Sequence, residues 1–442
     1  MKSNKKKIFA NIFIGISVTF LATMVLVYGG RFIYYYRNSH IKEEVGETLL
    51  VDVINSLSYN GSMVKEENNL YYSGNIMSNY LYYSNRYYRI IGIENGNIVL
   101  VDDDISTILP YNGEDYKTSD INKWLNKTDE ENTGIYYNSL INPDKYLTLT
   151  KTCLDNYSGE NITCENYVES NVGLLSLNQY LRANINGNYL NKNSYYWFSN
   201  KDAEEHNWYI DSKNEVTITN SESLYGVRAV ITLKPDTVYY GGSGTLFEPY
   251  LITLEDAENF GDVKTGNIGI GSYITFNDSK WRVIGSDEEN YKIVSVDSIG
   301  TKVFSNKTNK INLKDKESLI YYLNNEYYET YEGKYLQKGI FNIASYDTSY
   351  LDKYSEQEEL NVGLLEIGDL YPNNLDNTYT LTNTGRRGTI FKVIGGRLYS
   401  DSYSNENEVR PVVFINKSIK AKGGYGTIDN PYEVGEAWKK YS

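Results

Sequence analysis

The sequence predicts a β-rich α+β protein: an N-terminal transmembrane helix followed by two tandem copies of one domain. Three observations predict it. Residues 8–30 form an uncharged apolar run. The remainder alternates short apolar segments with Asn-Gly and glycine-rich turns. A set of motifs then occurs twice in one order, each time closing with an arginine strand, a glycine turn and Pro-Tyr. The first closing segment runs from Tyr225-Gly226-Val227-Arg228 through Gly242 and Gly244 to Pro249-Tyr250. The second runs from Glu408-Val409-Arg410 through Gly424 and Gly426 to Pro431-Tyr432, with the same arginine-to-proline spacing.

The 442 residues, 40% hydrophobic, suffice for two or three packed domains. Tyrosine dominates the aromatics, 46 against 12 Phe and 5 Trp. Its amphipathic ring suits β-rich surfaces that bind; a codon bias toward Tyr, Asn, Lys and Ile explains it equally. The net charge of −14 repels phosphate backbones, so nucleic acid is not an expected partner.

Residues 1–7 carry four lysines and are expected in the cytoplasm. As a helix, residues 8–30 reach roughly 34 Å, enough for a bilayer core of about 30 Å. The run is longer than a signal-peptide core and no Ala-x-Ala site follows, which favours an uncleaved signal anchor over a cleaved signal. The basic residues place the C-terminal domains outside the cell by a narrow margin. This describes a single-pass protein of the cell membrane that meets lipid through residues 8–30.

Residues 31–67 read as a juxtamembrane stalk, with Ile41, Val45, Leu49, Val53 and Leu57 on one helical face that packs on its own domain. The first copy spans 68–254. Apolar runs flanking Asn95-Gly96 predict a hairpin. Ser119 to Leu125 predicts a short helix with Ile121, Trp124 and Leu125 inward. Val172-Gly173-Leu174-Leu175 enters a helical turn at Leu177–Leu181. Tyr195–Phe198, Asn207–Ile210 and Val227–Leu233 read as strands. The second copy spans 262–434 and repeats the script. Arg282 answers Arg89, Tyr322-Leu323-Asn324 answers Trp124-Leu125-Asn126, and Val362-Gly363-Leu364-Leu365 answers the segment at 172. A polar tail, 435–442, remains.

These motifs together resemble a domain family of unassigned activity in secreted and membrane-anchored proteins of low-GC Gram-positive bacteria. They are the Tyr/Trp-Arg-Ile/Val-Ile-Gly strand, the Leu-Asn helix, Val-Gly-Leu-Leu, and the arginine strand with its Gly-x-Gly-Thr turn and Pro-Tyr. The resemblance covers roughly residues 68 to 434. The pattern is also weakly similar to the C-type-lectin-like fold of sulfatase-modifying factors, which end near a Gly-Phe-Arg strand. Gly226-Val227-Arg228 fits that strand, whereas Glu408-Val409-Arg410 lacks the glycine. The resemblance implies tandem C-type-lectin-like domains and no particular reaction.

Candidate chemistry is sparse. Cys153 and Cys164 lie in a polar loop and are expected to pair outside the cell, stabilising by about 2.5–3 kcal/mol; a catalytic thiol pair is the alternative. No metal or cofactor set is expected, since the only histidines are His40 and His206. Asp102-Asp103-Asp104 reads as a solvated turn rather than a calcium site. Arg89, Arg282, Arg228 and Arg410 interrupt apolar strands and need partners, structural carbonyls and carboxylates or an anionic ligand. Gly242, Gly244, Pro249, Gly424, Gly426 and Pro431 read as structural turn residues, so a ligand site is expected in the middle of each copy. The functional expectation is a cell-surface protein that binds a glycan, an envelope polymer or another protein. The alternatives are a structural or regulatory component of an envelope complex and, behind it, an extracellular enzyme with no recognisable catalytic residues.

Overall fold

The computed structural model describes residues 48–57, 63–157, 164–184, 187–259, 268–331, 335–346, 349–351, 356–371, 375 and 377–435. The segments expected as a cytoplasmic N-terminus (1–7), an anchor (8–30), most of a stalk (31–47) and a tail (beyond 435) lie outside them. With 40% strand and 13% helix, the protein is β-rich α+β.

The helix Leu50–Leu57 packs on the first copy, but with a rotated face. Leu50 and Ile54 are buried, while Leu57 is 45% exposed. Leu49 pairs with Val238 and the Tyr239 amide donates to the Thr48 carbonyl, which fixes the rotation. Met63–Glu66, read from the sequence as the end of the stalk, is a strand paired with Asn69–Tyr72.

Each copy builds a core sheet around one hairpin. In the first copy Arg86–Glu94 pairs with Asn97–Asp102 across Asn95-Gly96, both at positive φ. In the second, Ser279–Ser286 pairs with Asn290–Ser295. Both hairpins shift register at the glycine of the Arg-x-x-Gly motif, between Ile90 and Gly92 and between Val283 and Gly285.

The helix motif and the Val-Gly-Leu-Leu motif belong to one device. Ser119 caps the helix Asp120–Leu125, and the next residue, Asn126, clamps the distant segment. Its amide donates to the Val172 carbonyl (2.8 Å) and its Oδ1 accepts the Val172 N–H (2.9 Å). Asn324 does the same to Val362, at 2.8 and 3.1 Å. Gly173 and Gly363 then pair with Val230 and Val412 on the closing strands.

The stretch Val227–Leu233, expected as one strand, is two. Leu224–Val227 and Ala229–Leu233 lie in different sheets, with Arg228 at the crossing. Glu406–Glu408 and Val412–Asn416 flank Arg410 in the same way. The closing turn then brings the chain home. Tyr250–Leu251 pairs in parallel with Tyr80–Tyr83, and Tyr432–Gly435 with Tyr273–Phe276. A Cβ on Gly242 would lie 1.8 Å from the Pro249 carbonyl oxygen, and one on Gly424 would lie 2.1 Å from that of Pro431. Gly244 and Gly426 press equally close to the rings of Tyr250 and Tyr432.

The copies are not beads on a string. A ten-stranded sheet crosses from one to the other, because Tyr225 in Leu224–Val227 pairs with Arg397 in Arg397–Ser402. The apolar core is one cluster containing residues of both copies. The turn Glu366–Tyr371 of the second copy plugs into the first. The Trp124 indole donates to the Gly368 carbonyl (2.8 Å), the Thr107 hydroxyl to that of Asp369 (2.7 Å), and the Tyr371 amide to that of Ser106 (2.9 Å).

Candidate functional site

The seam between the copies holds a cavity of about 430 Å³, within the size range of small-ligand sites. Its first-copy wall is formed by residues of the strands Tyr80–Tyr83, Arg86–Glu94 and Asn97–Asp102. Its second-copy wall carries Tyr273, Arg282, Leu370 and Tyr371. Both closing turns form the rim, Leu246 and Phe247 from one and Gly426 to Asp429 from the other.

A buried polar cluster belongs to the first-copy wall. Antiparallel register sets Tyr88 opposite Asp102. The Tyr136 hydroxyl donates to Asp102 Oδ1 (2.6 Å) and lies 3.1 Å from the Tyr88 hydroxyl, while Ser106 donates to Asp102 Oδ2. Arg86, 8% exposed, donates from Nη2 to the Ser139 hydroxyl (2.6 Å) and lies 4.7 Å from the Tyr136 ring centre. Its Nη1 has no hydrogen-bond partner among the described residues, and neither has the Tyr371 hydroxyl across the cleft. Both atoms are sealed from solvent behind the cavity surface, each an unmet polar group that costs roughly 1–3 kcal/mol.

Burial pushes the Asp102 carboxyl above its ordinary value, against the opposing pull of Arg86 and the bonds from Ser106 and Tyr136. Burial also raises the Tyr87 hydroxyl to about 12, helped by Asp429 and Asp103. Asp103 is engaged by Lys192 at 2.7 Å and Arg89 at 3.8 Å. The triple-aspartate turn is thus not a solvated one. Asp102 is 4% exposed because strand register carries it inward.

The four arginines divide. Arg228, fully buried, donates to the Asp102 and Leu190 carbonyls and lies over Tyr196. Arg410 donates to Thr378, Glu408 and the Val296 carbonyl. Arg89 is held by Asn79 and the Ile76 carbonyl beneath the Tyr80 ring. Only Arg282 among the matched pairs combines cleft exposure with a single backbone bond, to the Tyr371 carbonyl at 2.8 Å. The closing turns, with Gly242, Gly244, Pro249 and their counterparts Gly424, Gly426 and Pro431, brace the rim. The cleft therefore lies at the junction and not in the middle of each copy.

Cys153 and Cys164 are disulfide-bonded, with Cα atoms 5.9 Å apart. Asp155 sits beside them, but sulfurs bonded to each other offer no thiolate to a metal. His206 pairs with Asp202 (3.1 Å) on the surface, and His40 lies outside the described residues. No helix among the described residues is long and apolar enough to cross a membrane.

Compared with protein-family profiles, curated proteins and solved structures, the chain matches none of them.

Sequence reasoning missed Arg86, Tyr136 and Tyr371. One signal was readable: at matched positions the first copy carries Arg86, Tyr88 and Asp102, and the second Ser279, Trp281 and Ser295.

Proposed function

We propose that the chain is a membrane-anchored, extracellular binding protein whose two C-type-lectin-like copies hold a ligand in the cleft between them. A neutral polyhydroxylated ligand, a glycan or envelope-polymer segment, suits the cleft best. The observation that carries this is the aromatic lining of the cavity at the seam, Tyr82, Tyr87, Phe247, Tyr273 and Tyr371. Sugar faces pack on rings like Tyr273 and Phe247. The wall's charges disfavour an anionic ligand, because Asp102, Asp103, Asp104 and Asp429 outnumber Arg86 and Arg282.

The purified full-length protein on a glycan array, followed by calorimetry on hits, tests this reading. Tyr273→Ala and Tyr87→Ala should each weaken binding about tenfold, the loss of one packing ring. An array without hits on folded protein rules out the glycan ligand. Protease applied to whole cells should remove the C-terminal domains and spare the N-terminus; full protection rules out the orientation.

One observation favours a second reading, a structural or regulatory component of an envelope complex. Phe247 and Leu246 stand out from the rim, 87% and 43% exposed, as an apolar knob for a protein partner. Phe247→Ala separates the two: it abolishes complex formation under this reading and only weakens ligand stacking under the first.

A further inference from the structure

The second copy buries an amine against two carboxylates. Lys292, on the strand Asn290–Ser295, points into the turn that follows Val-Gly-Leu-Leu. Its Nζ lies 2.8 and 3.0 Å from the two oxygens of Asp369 and is hydrogen-bonded to Glu366 Oε2. The three side chains are 12%, 14% and 8% exposed. The Phe341 ring lies 5.4 Å from the ammonium.

Both carboxyls are held in place. Glu366 Oε1 accepts the Asn342 backbone N–H (2.6 Å), which leaves Oε2 for the lysine. Asp369 Oδ2 accepts the Glu366 backbone N–H (2.9 Å), a donor that stabilises negative charge on that oxygen. An amine within 3.0 Å of both oxygens lies at contact distance from the carbon between them. Reacting atoms held about 3–3.5 Å apart gain much of the barrier from proximity alone.

We propose that Lys292 and Asp369 form an intramolecular isopeptide bond, with Glu366 as the proton carrier. Glu366 takes a proton from the Lys292 ammonium, and the free amine attacks Cγ of Asp369. The new N–C bond forms as one C–O bond breaks. The departing oxygen takes its two protons from the ammonium, one of them through Glu366, and leaves as water. No oxidant, reductant or cofactor enters, and Glu366 ends as it began.

Against the penalty of burial, Asp369 and Glu366 hold the resting ammonium above its ordinary value. The amine is therefore nucleophilic only while Glu366 carries its proton, which makes Glu366 the residue that sets the rate.

The bond would brace the inter-copy plug. Gly368 and Asp369 accept from Trp124 and Thr107 of the first copy, so tying Asp369 to the core sheet of the second fixes the seam. The first copy has its own covalent brace, Cys153–Cys164, and at the position matching Lys292 it carries Val99.

Intact-mass spectrometry of the reduced, denatured full-length protein tests the bond. The expected mass is one water below that of the sequence, with a branched peptide joining Lys292 to Asp369 after digestion. Glu366→Gln should restore the missing water in a protein with unchanged circular dichroism. Lys292→Arg keeps an ion pair and should also show the full mass, which covers the case where Glu366→Gln fails to fold. A full mass for the folded wild-type protein overturns the proposal, and so does a missing water mapped to any other pair.

Discussion

The two copies answer each other strand for strand, yet the same register pair has opposite contents. In the first, Tyr88 faces Asp102 and carries a hydrogen-bonded polar cluster. In the second, Trp281 faces Ser295, packs on Tyr331 at 6.2 Å and donates to the Phe276 carbonyl. What the copies share is what turns or fastens the backbone: the Asn126 and Asn324 clamps, Arg228 and Arg410 at the sheet crossings, and the glycine turns. Side chains that line the seam have diverged. A duplicated fold thus separates its fastenings, which repeat, from its candidate chemistry, which does not.

The largest expected effect tests the shared half. Arg228→Ala removes the side-chain donors to the Asp102 carbonyl and one of two to the Leu190 carbonyl, which keeps Tyr196, from a full core, and should cost about 3–5 kcal/mol in thermal or denaturant unfolding. Arg410→Ala should cost less, because its site is not fully closed. Equal costs would show that the fuller closure around Arg228 adds no stability.

Next in size are the clamps. Asn126→Ala strands the Val172 N–H, whose carbonyl keeps Tyr116 and Ser170, and should lose about 1–2 kcal/mol; Asn324→Ala strips both backbone groups of Val362 and should lose about 2–3 kcal/mol. A loss in only one copy would show that the clamp is redundant in the other. Gly242→Ala and Gly424→Ala should cost similar amounts, about 1–3 kcal/mol, because both combine positive φ with a carbonyl in the way. Ser295→Ala, opposite Trp281, loses the bond to the Asp297 carbonyl and should cost about 1 kcal/mol.

The smallest effect is on pH dependence, and its sign differs between two aspartates. Despite partial burial, bonds from Asn407, Lys392 and Asn405 hold the Asp401 carboxyl at about 2, below its ordinary 3.8. Its contribution is present above pH 4 and lost as pH falls toward 2. Burial raises Asp256 to about 6, so its contribution is full below pH 4 and lost as pH rises through 6. Unfolding titrations of Asp401→Asn and Asp256→Asn should flatten these two windows separately. A single shared window would refute the assignment.

The sequence made the duplication legible because the fastenings are short motifs with fixed spacing. Arg228, Asn126 and Gly242 all stand in such motifs. The hairpin at Asn95-Gly96 and the helix capped by Ser119 were readable for the same local reason. Asp102 was misread because its burial depends on which strand residue it faces, which no local pattern encodes. Lys292 and Asp369 meet across 77 positions with no periodicity between them. The seam rests on the pair Tyr225–Arg397, the plugging turn, the bonds from Ser349 and Tyr350 to Asp120 and that from the Tyr195 amide to the Gly395 carbonyl, and none of these carries a motif.

That pair also sets an order of events. The first copy leaves the ribosome ahead of the second, and domains fold as they emerge. Yet Tyr225, paired with Leu109 on one side, gains its partner on the other only when Arg397, 172 positions later, has been made. Throughout that interval the strand Leu224–Val227 keeps part of an open edge, which is a site for wrong pairing with another chain. The nascent protein therefore passes through a stage when it is foldable but unsealed. Truncation between the copies would leave it there, prone to self-association through the edge that Arg397 normally closes.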